Sequence, residues 1–302
     1  MRILPVRIRK MLEENGINYE YLQEIRFRVG QPVILQYKNQ EYLLKDKKVN
    51  PGQDNFFFTK EEMKETMEYI SNFSMYAFEN EMRQGFITIP GGHRIGIAGK
   101  VFVEQGKVKR ITNIGMINIR LSHEVIGCSR NIIDALWEEG NFCHTLIISP
   151  PGGGKTTLLR DIIREIAEDR LTVGVVDERS EIAASYLGIP QNQLGIRCDV
   201  MDGCPKVEGI LMLLRSMAPD VIAVDEIGGR EDIEALIYGR NCGCKILATI
   251  HGNSVEEIKS KPQMREFIEN RGFERYVVLE NRLQAGKIKE ISDWSGRIIF
   301  TE

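Results

Sequence analysis

A mainly parallel α/β sheet, preceded by a smaller α+β unit, is the architecture this 302-residue sequence predicts. Three observations carry the expectation. From about residue 130, short apolar runs alternate with stretches of helical period, which is the mark of a parallel sheet covered by helices on both faces. Before that point, short segments of period two are separated by glycine-rich turns. Between an apolar run at 145–148 and an amphipathic stretch lies Ser149-Pro-Pro-Gly-Gly-Gly-Lys-Thr-Thr157, a glycine-rich loop where a strand hands over to a helix.

In order along the chain, residues 6–15 form a short helix. The segments 24–29 and 33–37, with Gly30 and Pro32 between them, suggest a hairpin. Thr59-Lys-Glu-Glu62 is a capping box and opens a helix to about Asn72. Strands follow at 86–90, 93–99, 107–111 and 117–121. Residues 127–132 serve as a linker, with a helix through Trp137, so the boundary falls between 1–128 and 129–302. The second unit has apolar strands at 145–148, 172–176, 221–224 and 245–250. Helices at 156–168, 207–217 and 231–241 lie between them, and strands at 276–280 and 288–292 close the chain.

Composition narrows the function classes. The net charge is −3, so no global basic footprint marks a nucleic-acid partner. No apolar run approaches the roughly 18 residues a membrane span needs. The start Met1-Arg2-Ile3-Leu4-Pro5 leads into charge, unlike a secretory leader. Six cysteines, among them Cys242-Gly-Cys244, match no zinc spacing, and a reduced intracellular chain is the simpler expectation.

The loop has the chemistry of a phosphate cradle. In the pattern G-x-x-x-x-G-K-[ST], Gly154, Lys155 and Thr156 fill the second half, while Ser149 stands where the first glycine belongs. Pro151, Gly152, Gly153, Gly154, Lys155, Thr156 and Thr157 are the candidate nucleotide-binding residues. Lys155 would reach the β- and γ-phosphates, Thr156 would ligate magnesium, and the following helix would aim its N-terminus at the anion. Three strand ends add polar residues. Val221-Ile-Ala-Val-Asp225-Glu226 places Asp225 as a magnesium ligand and Glu226 as the residue that polarises water. Asp177-Glu-Arg-Ser-Glu181 offers Asp177, Glu178 or Glu181 to order water or complete the metal shell. His251 ends the run 245–250, where it would sense the γ-phosphate.

These four segments, in this order, resemble the secretion ATPase superfamily, the motors of type II and type IV secretion and of type IV pili. That family has a RecA-like P-loop domain. Val175-Val-Asp-Glu-Arg-Ser-Glu181 resembles its Asp box, Ala218-Pro-Asp-Val-Ile-Ala-Val-Asp-Glu-Ile-Gly-Gly229 its Walker B region, and Ala248-Thr-Ile-His-Gly252 its His box. Asn118-Ile-Arg120 resembles an N-terminal segment whose arginine reaches the phosphates, with Arg94 and Arg110 as further candidates. Leu22-Gln-Glu-Ile-Arg-Phe-Arg-Val-Gly-Gln-Pro32, Gly92-His-Arg-Ile-Gly-Ile-Ala-Gly99 and Ile114-Gly-Met-Ile-Asn-Ile-Arg120 narrow the resemblance to a family of endospore-forming bacteria, over nearly the whole chain. It implies a Mg2+-dependent ATPase in the cytoplasm of the mother cell, recruited to the membrane by partners. It implies a homo-hexameric ring that powers or assembles a channel complex toward the forespore, without a stable nucleic-acid partner. Two other classes remain open: a motor stimulated by nucleic acid, with Arg26, Arg28, Lys107, Lys109 and Arg110 as contacts, and a nucleotide-gated scaffold without turnover.

Overall fold

The computed structural model describes residues 3–46, 52, 54–70, 78–83, 85–280 and 286–301. Its contacts divide the chain into Met1–His123 and Glu124–Glu302.

The first unit is an antiparallel sheet with helices. Its elements are α1 (Val6–Glu14), β1 (Leu22–Arg28), β2 (Ile34–Tyr37), β3 (Gln40–Leu43), α2 (Lys60–Ile70), α3 (Glu79–Arg83), β4 (Phe86–Ile89), β5 (His93–Glu104) and β6 (Lys107–Arg120). The strand order is β3-β2-β1-β6-β5-β4. Alternation along β1 buries Ile25 and Phe27 and leaves Arg26 outward, and an irregularity in the β1–β2 pairing between Leu22 and Glu24 accompanies the burial of Leu22 as well. The Phe27 and Phe58 rings stack at 4.5 Å. The capping box forms: Glu62 N–H donates to Thr59 Oγ1 at 3.1 Å, and Thr59 N–H to Glu62 Oε2 at 2.8 Å. The expected last turn of α2, residues 71–72, lies outside the described residues. The two strands expected at 107–111 and 117–121 are one. Gly99 makes this possible, because a Cβ there would come within 2.6 Å of the Thr112 carbonyl at a bulge in the β5–β6 pairing.

The second unit begins with a single 3₁₀ turn (Ile133–Leu136) and a two-stranded ribbon, β7 (Trp137–Glu138) and β8 (Asn141–Phe142), where the sequence suggested a helix. Glu139 and Gly140, at φ 49° and 81°, form a tight hairpin turn that stops any helix before Trp137. Then come β9 (Thr145–Ser149), α4 (Lys155–Asp169), β10 (Val173–Asp177), β11 (Cys198–Asp202), α5 (Lys206–Ser216), β12 (Val221–Val224), α6 (Arg230–Asn241), β13 (Lys245–His251), α7 (Val255–Ser260), α8 (Pro262–Glu269), β14 (Arg275–Leu279), β15 (Ile288–Asp293) and β16 (Ile298–Thr301).

The sheet runs β11-β10-β12-β13-β9-β14-β15-β16. The first six strands are parallel, and β15 and β16 add an antiparallel end. One face packs Leu158, Leu159, Ile162 and Ile163 of α4 on Ile147, Val175, Ala223 and Leu247. The other packs Ile210, Leu213, Leu236, Met264 and Phe267 on Leu146, Val176, Val224 and Ile246. Burial on both faces is why these strands read as unbroken apolar runs. Edge strand β11 is only half-buried, so its sequence carries no such signal.

Candidate active site

The glycine-rich loop follows β9, whose five residues are all buried. Gly152 and Gly154 adopt φ of 76° and 95°, conformations that glycine alone takes without strain, and α4 begins at Lys155. Gly153 is required for a different reason. A Cβ there would meet Ser149 Oγ well inside 3.0 Å and the carbonyls of Pro150 and Glu280 at 3.1 Å. Ser149 is fully buried, and its hydroxyl donates to the Pro150 carbonyl at 2.9 Å. The serine in the glycine position therefore fills the floor of the loop, and Gly153 makes room for it. The loop is closed from outside by Gly286 N–H, which donates to the Gly153 carbonyl at 2.8 Å.

At the head of α4, Lys155 and Thr156 meet the end of β12. Lys155 Nζ lies 3.2 Å from Asp225 Oδ1 and 4.0 Å from Glu226 Oε2. Thr156 Oγ1 donates to Asp225 Oδ2 at 2.6 Å. Thr249 of β13, which lies between the two strands in the sheet, donates its hydroxyl to Asp225 Oδ1 and accepts from Glu226 N–H at 2.9 Å. Sequence reasoning quoted Thr249 only as part of a motif. Its place two residues before His251 put both on one side of the strand, and that periodicity was the available signal.

Glu226 sits among basic side chains. Arg179 Nη1 is 2.8 Å from Oε2, and His251 Nε2 is 3.3 Å from Oε1. Its backbone takes φ 58°, a conformation that costs a non-glycine residue about 1 kcal/mol or more. Among the described residues, the buried Nδ1 of His251 has no hydrogen-bond partner.

The acids after β10 divide differently from expectation. Asp177 is buried and accepts the backbone N–H groups of Glu181, Ile182 and Ala183 at 2.9, 3.0 and 2.8 Å. Burial pushes its carboxyl up to about 6, against the pull of those three donors. It shapes the loop. Glu178 pairs with Lys206 of α5. Glu181 contributes its carbonyl to Arg160 Nη2 at 2.6 Å, and Arg160 Nε donates to the Ile182 carbonyl at 2.8 Å. Neither carboxylate joins Lys155, Asp225 and Glu226. β10 pairs directly with β12, so its loop lies beside the strand end that carries Asp225 and Glu226. From this loop it is Arg179 that reaches Glu226.

Asp161 of α4 was not anticipated either. It accepts from Gly127 N–H, Ser129 N–H and the Ser129 hydroxyl at 2.9, 2.7 and 2.8 Å and pairs with Arg164. Burial alone would raise this carboxyl, but the hydrogen bonds hold it at about 2. The entry segment of the second unit is thus tied to the helix that starts at the glycine-rich loop. Arg120 lies in the first unit on β6, where its Nε is 3.3 Å from Glu24 of β1. Arg94 lies over the Phe86 ring and Arg110 over Phe102.

Loop, paired acids and polar strand ends all lie at the carboxyl edge of one parallel sheet, where such sheets take ligands. The fold is that of secretion and pilus ATPases. It superposes on the Legionella pneumophila ATPase DotB with a TM-score of 0.58 at 17% identity, over 92% of this chain and 76% of that one. It superposes on the pilus retraction motor PilT with a TM-score of 0.59 at 16% identity, over 91% and 77%. The sequence matches the family described as "Sporulation stage III, protein AA" over residues 1–299, and the chain belongs to that family. It is 38% identical to the stage III sporulation protein AA of Bacillus subtilis (strain 168), over 98% of this chain and 95% of that protein. Among the described residues, no helix is long and apolar enough to cross a membrane.

Proposed function

We propose that the chain is a magnesium-dependent ATPase that works as a homo-hexamer on a membrane channel complex of the sporulating cell. One observation carries the reading: Lys155, Thr156 and Asp225 converge in one hydrogen-bonded cluster at the mouth of a glycine loop. The residues suit the ion and the nucleotide. Thr156 and Asp225 offer two hard oxygen donors, and the loop leaves backbone room at Gly153 that any side chain would fill. Magnesium, when bound, neutralises charge on the phosphate oxygens, and Thr156 and Asp225 are the residues that would hold it.

The rest is work of the chain. Lys155 exchanges its carboxylate partner for phosphate oxygens, so that Asp225 is released for the cation. Thr249 keeps Asp225 in place through that exchange and fixes the backbone of Glu226. Glu226 aligns the attacking water, and Arg179 and His251 set the direction of its carboxylate. His251 touches this carboxylate through Nε2, which suits it to sense the state of the γ-phosphate, and among the described residues its buried Nδ1 has no partner. Arg120, with Arg94 and Arg110 behind it, remains the candidate for transition-state charge on the strength of the family resemblance. Such arginines are worth about 10³-fold in phosphoryl transfer. Location in the cytoplasm of the mother cell belongs to the same reading.

Phosphate release and nucleotide affinity, measured separately, test it. Lys155→Ala is expected to abolish release. Glu226→Gln is expected to retain affinity while turnover drops on the order of 10²-fold. Near-normal turnover in Glu226→Gln would remove the residue from its role, and stimulation of the wild type by DNA or RNA would favour a nucleic-acid motor instead.

A further inference from the structure

Strands β5 and β6 outrun the sheet they belong to. β4 pairs with β5 only over 93–96, and β1 with β6 only over 116–120. The two long strands stay paired with each other to Glu104 and Lys107. From Gly99 to the turn at 105–106 this two-stranded ribbon extends roughly 20 Å, at about 3.3 Å per residue. Arg83 of α3 braces it, donating to the Lys109 carbonyl at 2.9 Å.

The pairing sorts its side chains. Val101 faces Ile111 and Val103 faces Val108 on one side. Lys100 with Thr112, Phe102 with Arg110, and Glu104 with Lys107 lie on the other. Val101, Val103 and Val108 are 46%, 61% and 39% exposed. Phe102 is also exposed, with the Arg110 guanidinium 4.9 Å and the Lys100 ammonium 5.7 Å from its ring. Residues 100–111 hold Lys100, Lys107, Lys109 and Arg110 against the single carboxylate of Glu104, in a chain whose net charge is −3.

Each half of this arrangement restricts the partner. The cations ask for an anionic surface. The aliphatic side asks for an apolar layer beneath it, which a nucleic acid does not offer to valine. An anionic bilayer presents phosphates and then hydrocarbon, in the order an amphipathic element lying in the interface requires. We propose that the ribbon 99–111 docks directly on an anionic lipid bilayer. Val101, Val103 and Val108 enter the boundary between headgroups and acyl chains, and Lys100, Lys107 and Arg110 meet lipid phosphates. This does not rest on nucleotide hydrolysis, so its failure and that of the ATPase reading are separate results.

The full chain, without nucleotide, is sedimented with vesicles of phosphatidylglycerol and phosphatidylcholine, and with phosphatidylcholine alone. Binding to the anionic vesicles only, weakened by salt, is expected. Each basic residue near such a surface contributes about fivefold, so Lys100→Gln/Lys107→Gln is expected to bind roughly 30-fold more weakly. Val101→Ser/Val103→Ser is expected to bind more weakly while keeping its dependence on salt. These positions are exposed, and an unchanged thermal midpoint shows that the variants fold. The proposal is overturned by absence of vesicle binding in the wild type or by both variants binding as tightly as the wild type. It is also overturned if the ribbon lysines bind an oligonucleotide or an acidic peptide but no vesicle.

Discussion

Gly153→Ala is the sharpest probe of the phosphate loop. Gly153 does not have positive φ, so alanine meets no backbone penalty and its cost is purely steric. The new Cβ would lie well inside 3.0 Å of Ser149 Oγ and 3.1 Å from the carbonyls of Pro150 and Glu280. Ser149 is fully buried at the end of β9 and its hydroxyl is engaged by the Pro150 carbonyl, so turning it away costs a hydrogen bond and the loop is expected to lift. Overpacking of this kind costs about 1–3 kcal/mol, and lifting moves the N–H groups meant for phosphate. Ser149→Gly removes the worst contact and leaves the two at 3.1 Å, which a shift of a few tenths of an ångström relieves. The double variant is therefore expected to recover at least about 1 kcal/mol of the loss, a coupling typical of touching side chains. Urea unfolding and ATP affinity on the four proteins of the cycle measure this. Additive effects, or a Gly153→Ala protein as stable and as tight-binding as the wild type, would refute the steric account and the role assigned to Ser149.

Two further outcomes follow from the same geometry. Thr249→Val keeps the shape of the side chain but removes one of the three donors to Asp225 and leaves Glu226 N–H without its acceptor. The loss of about 1–3 kcal/mol for that unsatisfied group leads us to expect single-turnover phosphate release slower by about fivefold or more at similar nucleotide affinity, and unchanged release would dismiss the bridge. Asp161→Asn is expected to lower stability by about 2 kcal/mol at neutral pH, from a carboxyl that titrates at about 2 when folded and 3.8 when unfolded. That contribution is complete above 3.8 and is lost as pH falls through about 2, so the two proteins converge in acid. Urea unfolding at descending pH checks this, and a gap independent of pH would show that the charge of Asp161 does not matter.

The strands around the site were legible because they are buried on both faces. The runs at 145–148, 221–224 and 245–250 could hardly be anything else, and the acids and histidine at their ends stood out against them. The helix expected before Trp137 failed because the turn at Glu139-Gly140 outweighs a short helical period. β11 was missed because an edge strand needs little apolar character. In the first unit, the break expected between 111 and 117 does not exist, since Gly99 admits a bulge that lets the strands continue.

What one chain determines by itself is local chemistry. Gly152, Gly154, Lys155, Thr156, Asp225 and Glu226 mark a candidate phosphate site because its pattern is one of spacing along a strand, a loop and a helix. The order of strands is not local. Only the tertiary structure sets β13 between β9 and β12, and so brings Thr249 to Asp225 and His251 to Glu226. It also sets β10 beside β12, where Arg179 reaches Glu226 while Glu178 pairs with Lys206 and Asp177 is taken up by its own loop. Such pairings depend on which strands become neighbours, and that is decided by packing over the whole sheet.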